Sequence, residues 1–176
     1  MKAIFIVPQI GFNEHELFTI RQNLEKNKIK CEIASFSKGK VISKEGTAIN
    51  ASEMICQINP DDYSCFIFVG GENVSSLVDH KCVINLIKKA NKKRKIIALL
   101  CMNPALLLPK AGLLKGKRVT VFKTKNNWSE NNITKNKGIL VDEPVVIDDN
   151  IITCRNEEDS ELLAERIISK LNKKEK

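Results

Sequence analysis

The chain has 176 residues, of which 43% are hydrophobic and 28% charged, and it carries a formal net charge of +8. That balance describes a globular domain long enough to bury a substantial core, and it excludes a disordered or membrane-embedded chain. The positive excess collects in "KKANKKRK" (88–95) and "KLNKKEK" (170–176), each closing a helical pattern where cations suit the helix dipole; neither run contains an aromatic residue for base stacking, so a solvated face is expected and no nucleic-acid partner.

The opening "MKAIFIVPQIGF" is too short an apolar run to cross a bilayer, lacks a small-residue cleavage site and contains Pro8. It reads as a first buried strand, and a cytoplasmic protein without membrane contact is expected. "NEHELFTIRQNLEKNK" follows with Leu17, Ile20 and Leu24 on one helical face and Asn13 as the N-cap. "KCEIASF" is a second strand. "KVISKEGTAI" reads as a hairpin around Lys44, Glu45 and Gly46, and "SEMICQI" as a short helix. The strand "YSCFIFVGG", the helix "KCVINLIKKANKK", the strand "KIIALL" and a helix beginning after Cys101 continue the alternation. "KRVTVF" is another strand, "VVIDDNIIT" a hairpin turning at Asp149 and Asn150, and "EEDSELLAERIISKL" a closing amphipathic helix. Alternating strands and helices favour right-handed crossovers and a mainly parallel sheet. With no repeats and no Pro/Gly/Ser-rich linker, residues 1–176 read as a single α/β domain.

In such sheets the working site lies beyond the carboxyl ends of the strands. Three features converge there: Cys101 after "KIIALL", Gly70-Gly71 after "CFIFV", and Glu14 with Glu16 after the first strand. A cysteine at a helix N-terminus has its thiolate favoured by the dipole and by free backbone N–H groups. A depressed pKa at Cys101 is therefore expected, with alkylation ahead of the other cysteines. Those are Cys31, Cys56, Cys65, Cys82 and Cys154, and they show no C-x-x-C and no metal-ligand spacing with histidine. No metal or cofactor is expected. Cys31, Cys56 and Cys65 read as small core residues of a protein kept in a reducing compartment.

The stretch "IIALLCMNPALLLPKAGLLKGKRVT" resembles the elbow signature of the ThiJ/PfpI family, whose members include deglycases and intracellular peptidases. "GFNEHEL", "DDYSCFIFVGGENVSSL" and "VVIDDNIITCR" fit the same family in the same order. The resemblance implies a flavodoxin-like three-layer α/β/α sandwich of the class I glutamine amidotransferase-like kind, and a homodimer. It assigns Cys101 as the elbow cysteine and Glu16 as the buried carboxyl that hydrogen-bonds its sulfur. It also assigns the backbone N–H groups of Gly71 and Met102 as oxyanion donors, with Gly70 supporting the turn.

The departures from the family pattern are specific. Met102 stands where the peptidase branch has a histidine base, Asn103 where a glycine follows, and Phe122 where the deglycase branch has a histidine. The two histidines, His15 and His80, both precede the cysteine, so the Cys–His–acid order of amidotransferase relatives is excluded within one subunit. His15 falls about 100° around the helix from Glu16, and His80 reaches a site only from a neighbouring subunit. Glu16 is left as the proton partner. Two functions follow. One is Cys101-dependent chemistry on small reactive carbonyls, glyoxalase- or deglycase-like; the other is a non-enzymatic, redox-responsive stress protein oxidised at Cys101.

Overall fold

A computed structural model describes residues 1–174, so the last two residues of the basic tail lie outside the described residues. The strands in chain order are β1 (Lys2–Ile6), β2 (Ile10–Phe12), β3 (Lys30–Ser35), β4 (Gly39–Ser43), β5 (Ala48–Ala51) and β6 (Glu53–Met54). They continue as β7 (Cys65–Phe68), β8 (Ile96–Leu100), β9 (Arg118–Val119), β10 (Ile139–Leu140), β11 (Val145–Asp148) and β12 (Ile151–Cys154). The helices are α1 (Glu14–Lys26), α2 (Ser75–Val78), α3 (Lys81–Lys92), α4 (Asn103–Ala111), α5 (Trp128–Lys135) and α6 (Ser160–Lys174).

Seven strands form the central sheet in the order β11-β12-β8-β7-β1-β3-β6. All pairs are parallel except the edge pair β11–β12. Read from β3, the inner order is 2-1-3-4-5, the flavodoxin-like winding, whose direction switches between β1 and β7. Alternation along each strand sends side chains to two cores. Phe5, Ile67, Ala98 and Ile152 face α1 and α6, meeting Leu17, Ile20, Leu24, Leu163 and Ile167. Ile4, Ile6, Phe66, Phe68, Ile97 and Leu99 face the other layer, meeting Val83, Leu86 and Ile87 of α3 and Leu107 and Leu108 of α4. The three layers expected from the sequence are present.

Local signals explain most element ends. Asn13 caps α1 by accepting from the Glu16 N–H at 3.2 Å. Gly112, left-handed at φ 72°, stops α4. The Lys44–Gly46 segment joins the antiparallel pair β4–β5, which with β2 makes a separate three-stranded sheet. Asp149 takes a positive φ of 56° in the β11–β12 turn.

Several expectations need correction. "SEMICQI" is not a regular helix: Glu53 and Met54 pair as β6 with β3, and only Ile55–Gln57 coil, as a single 3₁₀ turn. The "KRVTVF" strand shrinks to two residues that pair with β10 outside the main sheet. Helix α5 was not expected; its only buried apolar side chain is Ile133, too little to mark a periodic face. Cys56 is exposed, not a core residue, and it is joined to Cys82 in a disulfide. Cys65 is buried as expected, and Cys31 is half-buried. Within the run 88–95, Lys93 pairs with Asp61 and Arg94 with Asp149, so part of this basic face is neutralised.

Candidate active site

The carboxyl ends of β1, β7 and β8 flank the switch in winding direction, and each delivers one part of the site. Strand β8 ends at Leu100, and the chain turns into α4 through Cys101 at φ 55°, a left-handed angle uncommon for a residue with a Cβ. That is the sharp strand-to-helix elbow expected from the sequence. Four bonds hold it: the Cys101 N–H donates to the Cys154 carbonyl at 3.0 Å, and the Phe122 N–H donates to the Cys101 carbonyl at 3.0 Å. Asn103 supplies the other two. Fully buried, its Nδ2 donates to the carbonyls of Phe68 and Val69, both at 3.0 Å, stitching the start of α4 to the end of β7. The amide at this position thus does work that a glycine cannot.

Glu16, in the first turn of α1, reaches across to the elbow. Its Oε1 lies 2.6 Å from Cys101 Sγ, and its Oε2 accepts from the Gly70 N–H at 2.5 Å. Glu14 goes elsewhere, accepting from Ser43 Oγ at 2.5 Å, so of the two acids only Glu16 belongs to the thiol. Gly70 does more than support a turn. A Cβ there would lie 2.9 Å from both Glu16 carboxyl oxygens and 3.0 Å from Cys101 Cβ. The missing side chain is the space in which carboxyl and thiol meet. Gly71 is fixed by conformation as well as space: its φ is +139°, and a Cβ would fall 2.2 Å from the Gly11 carbonyl. The N–H groups of Gly71 and Met102 have no hydrogen-bond partner among the described residues, and both residues line the cleft that contains Cys101.

Electrostatics overturn one expectation. Burial pushes Glu16 up to about 7, against the opposing bonds from Cys101 and Gly70. Burial, and then the Glu16 charge and hydrogen bond, raise the Cys101 thiol above its ordinary range instead of depressing it. The helix N-terminus is outweighed because two acids in one dry site cannot both ionise cheaply. Carboxyl and thiol therefore share a proton near neutrality.

The cleft over the thiol has a volume of about 510 Å³, the size of a small-molecule site. Its wall includes Met102 and Phe122, so the two positions without histidine both face it, and no histidine lines it. Sequence reasoning missed its charged rim. Lys44 Nζ sits 3.1 Å from Glu157 Oε2, which also accepts from Asn13 Nδ2. The Asn13 bond first, then Lys44, hold Glu157 below the usual carboxylate range. Glu157 lies 113 residues from Lys44, and no local pattern announces such a pair. His15 is exposed on α1. His80 sits at the start of α3, stacked on Phe36 with ring centroids 5.0 Å apart.

The model of the DJ-1/PfpI family matches residues 1–170. An uncharacterized protein of Methanocaldococcus jannaschii is 30% identical over 173 residues, covering 98% of this chain and 83% of that protein. A protein named a deglycase from Thermococcus kodakarensis is 26% identical over 154 residues, covering 87% of this chain and 89% of its own length. Among solved structures, a ThiJ/PfpI domain protein from Brachyspira murdochii superposes with a TM-score of 0.90 at 21% identity, covering 98% of this chain and 96% of that one. Drosophila melanogaster DJ-1beta gives 0.85 at 24% identity, covering 97% and 89%. At those identities the structural likeness is one of fold.

Proposed function

This chain belongs to the DJ-1/PfpI family, and on that premise we propose that it uses Cys101, partnered by Glu16, to transform small reactive carbonyls in a glyoxalase- or deglycase-like reaction. The observation that carries this reading is the 2.6 Å contact between Cys101 Sγ and Glu16 Oε1, beneath two unpartnered N–H groups. Relatives named deglycases support it.

The chemistry starts from the tautomer in which Glu16 holds the shared proton and Cys101 is a thiolate. The sulfur adds to an aldehyde carbon, and the Gly71 and Met102 amides receive the developing oxyanion. Glu16 then delivers its proton to that oxygen, giving a hemithioacetal. With a 2-oxoaldehyde, Glu16 as carboxylate carries the proton of the former aldehyde carbon to the neighbouring carbon, while the hydroxyl proton of the hemithioacetal passes to the neighbouring carbonyl oxygen. The product is a thioester of a 2-hydroxy acid. Water hydrolyses it, restoring the thiol, so the net change is oxoaldehyde plus water to 2-hydroxy acid. No histidine takes part, which separates this scheme from peptidase and glutaminase chemistry. We place the protein in the cytoplasm as a homodimer acting without a cofactor; no helix among the described residues is long and apolar enough to cross a membrane.

The test is D-lactate formation from methylglyoxal by the purified protein. Turnover that disappears in Cys101→Ala supports the reading, and turnover unchanged by that substitution sinks it. A second reading rests on Met102 and Phe122, which put no histidine beside the thiol and leave Glu16 as the titratable side chain hydrogen-bonded to it. Here one peroxide oxidises the Cys101 thiol to a sulfenic acid and a second takes it to the sulfinic acid, each with release of water. A protonated Glu16 and the same two amides hold the added oxygens in a redox-responsive stress protein. Stable sulfinate on Cys101 without methylglyoxal turnover would favour this second reading.

A further inference from the structure

Four strands from the elbow, at the β6 edge of the sheet, a second group of reactive side chains comes together. Cys56 lies on the 3₁₀ turn after β6, Cys82 in the first turn of α3, and His80 immediately before that helix. The lateral separation from Cys101 is roughly 19 Å at ordinary strand spacing. One ligand atom from each of Cys56, His80 and Cys82 lies within 4.8 Å of the other two. Cys56 and Cys82 are joined as a disulfide, and His80 Nδ1 is buried with no hydrogen-bond partner among the described residues. A buried ring nitrogen left unpaired is costly, so an imidazole that carries one beside two sulfurs calls for a reason.

We propose that Cys56, His80 and Cys82 form a redox-gated site for a thiophilic divalent cation of the Zn²⁺ type, closed by the disulfide and opened by a dithiol reductant. The donor set is two thiolates and one imidazole, which suits zinc. In a tetrahedral zinc site those donor atoms stand roughly 3.6–3.8 Å apart, within the span already present. The sulfurs have room to separate. Cys56 is exposed, and a cavity of about 110 Å³ adjoins both cysteines. Asn85 and Lys89 line the same cavity, leaving the fourth position to water or an exchangeable ligand. Phe36, stacked on the imidazole at an interplanar angle of 28°, fixes the ring without occupying its nitrogens.

The two steps balance. A dithiol gives two electrons and two protons to the Cys56–Cys82 bond, becoming a disulfide itself and leaving two thiols. The cation then displaces those two protons as it binds two thiolates and neutral His80, so the occupied site carries no net charge beside Lys89. A disulfide oxidant reverses the change: it takes two electrons from the two thiolates and two protons from water, becomes a dithiol, and the re-formed Cys56–Cys82 bond releases the cation. Local sequence carries only a weak hint, the His80-x-Cys82 spacing; the third ligand is 26 residues upstream of Cys82.

The test uses the full chain carrying Cys101→Ser, so that the elbow thiol contributes no ligand. Protein reduced with a non-chelating phosphine and protein oxidised at Cys56–Cys82 are each titrated with Zn²⁺ by calorimetry. Co²⁺ absorption reads thiolate ligation directly. The expected result is one equivalent bound by the reduced form, thiolate-to-cobalt charge transfer, and no binding by the oxidised form. Cys56→Ser changes an exposed residue and should abolish the charge-transfer signature while leaving the circular dichroism spectrum intact. His80→Ala should weaken binding more than about tenfold, since even groups that merely orient a ligand cost that much. Equal binding by both redox forms, no saturable binding by the reduced form, or binding unaffected by Cys56→Ser would each overturn the proposal.

Discussion

Replacing Glu16 with glutamine should make the protein more stable at neutral and alkaline pH while leaving its stability near pH 4.5 almost unchanged. Glu16 has no exposed surface, and burial lifts its pKa from 4.5 to about 7. Between those values the folded protein holds a proton that the unfolded chain has released. Stability therefore falls as pH rises through that window, and the loss is complete above about pH 7. A shift of about 2.5 units at about 1.4 kcal/mol each corresponds to about 3 kcal/mol. Glutamine stays neutral throughout, can still accept from the Gly70 N–H, and can offer its amide to Cys101 Sγ. Urea unfolding followed by circular dichroism, under reducing conditions from about pH 4.5 to about pH 8, gives the difference between the two proteins. Apart from Cys101, whose titration is coupled to Glu16, the other titrating groups are common to both and largely cancel. The difference should grow by about 3 kcal/mol in favour of Glu16→Gln. A difference that stays flat across the window would mean that Glu16 ionises freely, and the shared-proton account of the thiol would fall with it.

Two further outcomes follow from the same geometry. Alkylation of Cys101 by iodoacetamide should accelerate as pH rises through about 7, where the site loses the first of its two protons, and then level off; Glu16→Leu, lacking the donor, should react more slowly with no plateau there, and identical profiles would separate Glu16 from the thiol. Gly70→Ala should force Glu16 and Cys101 apart, lowering both the alkylation rate and, by about 1–3 kcal/mol, the stability measured in urea; an alanine variant with wild-type reactivity would show that the close approach at Gly70 is not what seats the pair.

The parts of this site that were legible in the sequence are those whose signal is local. Asn13 announces the start of α1 because a cap, a first-turn acid and a periodic apolar face fall within a dozen residues. Cys101 stands out because a fully buried strand ends at it and a helix begins two residues later. Gly70, Gly71, Glu14 and Glu16 are placed at the same sheet edge by the buried strands that precede them. The choice of Glu16 and its bond to the sulfur came through family resemblance, since nothing in the spacing says that residues 16, 70 and 101 touch. What stayed hidden depends on contacts between distant segments: the Lys44–Glu157 pair, the Cys56–Cys82 disulfide, and helix α5 with its single buried apolar side chain. The same division explains the thiol. Read locally, a cysteine before a helix should be acidic, because the helix end is all that the neighbouring residues show. The fold adds a buried carboxyl 2.6 Å from the sulfur, admitted there because Gly70 has no side chain. That contact turns a simple activated thiol into an acid pair. The reactivity of Cys101 is then set by which partner holds the proton, a property of residues 85 positions apart that no stretch around Cys101 can encode.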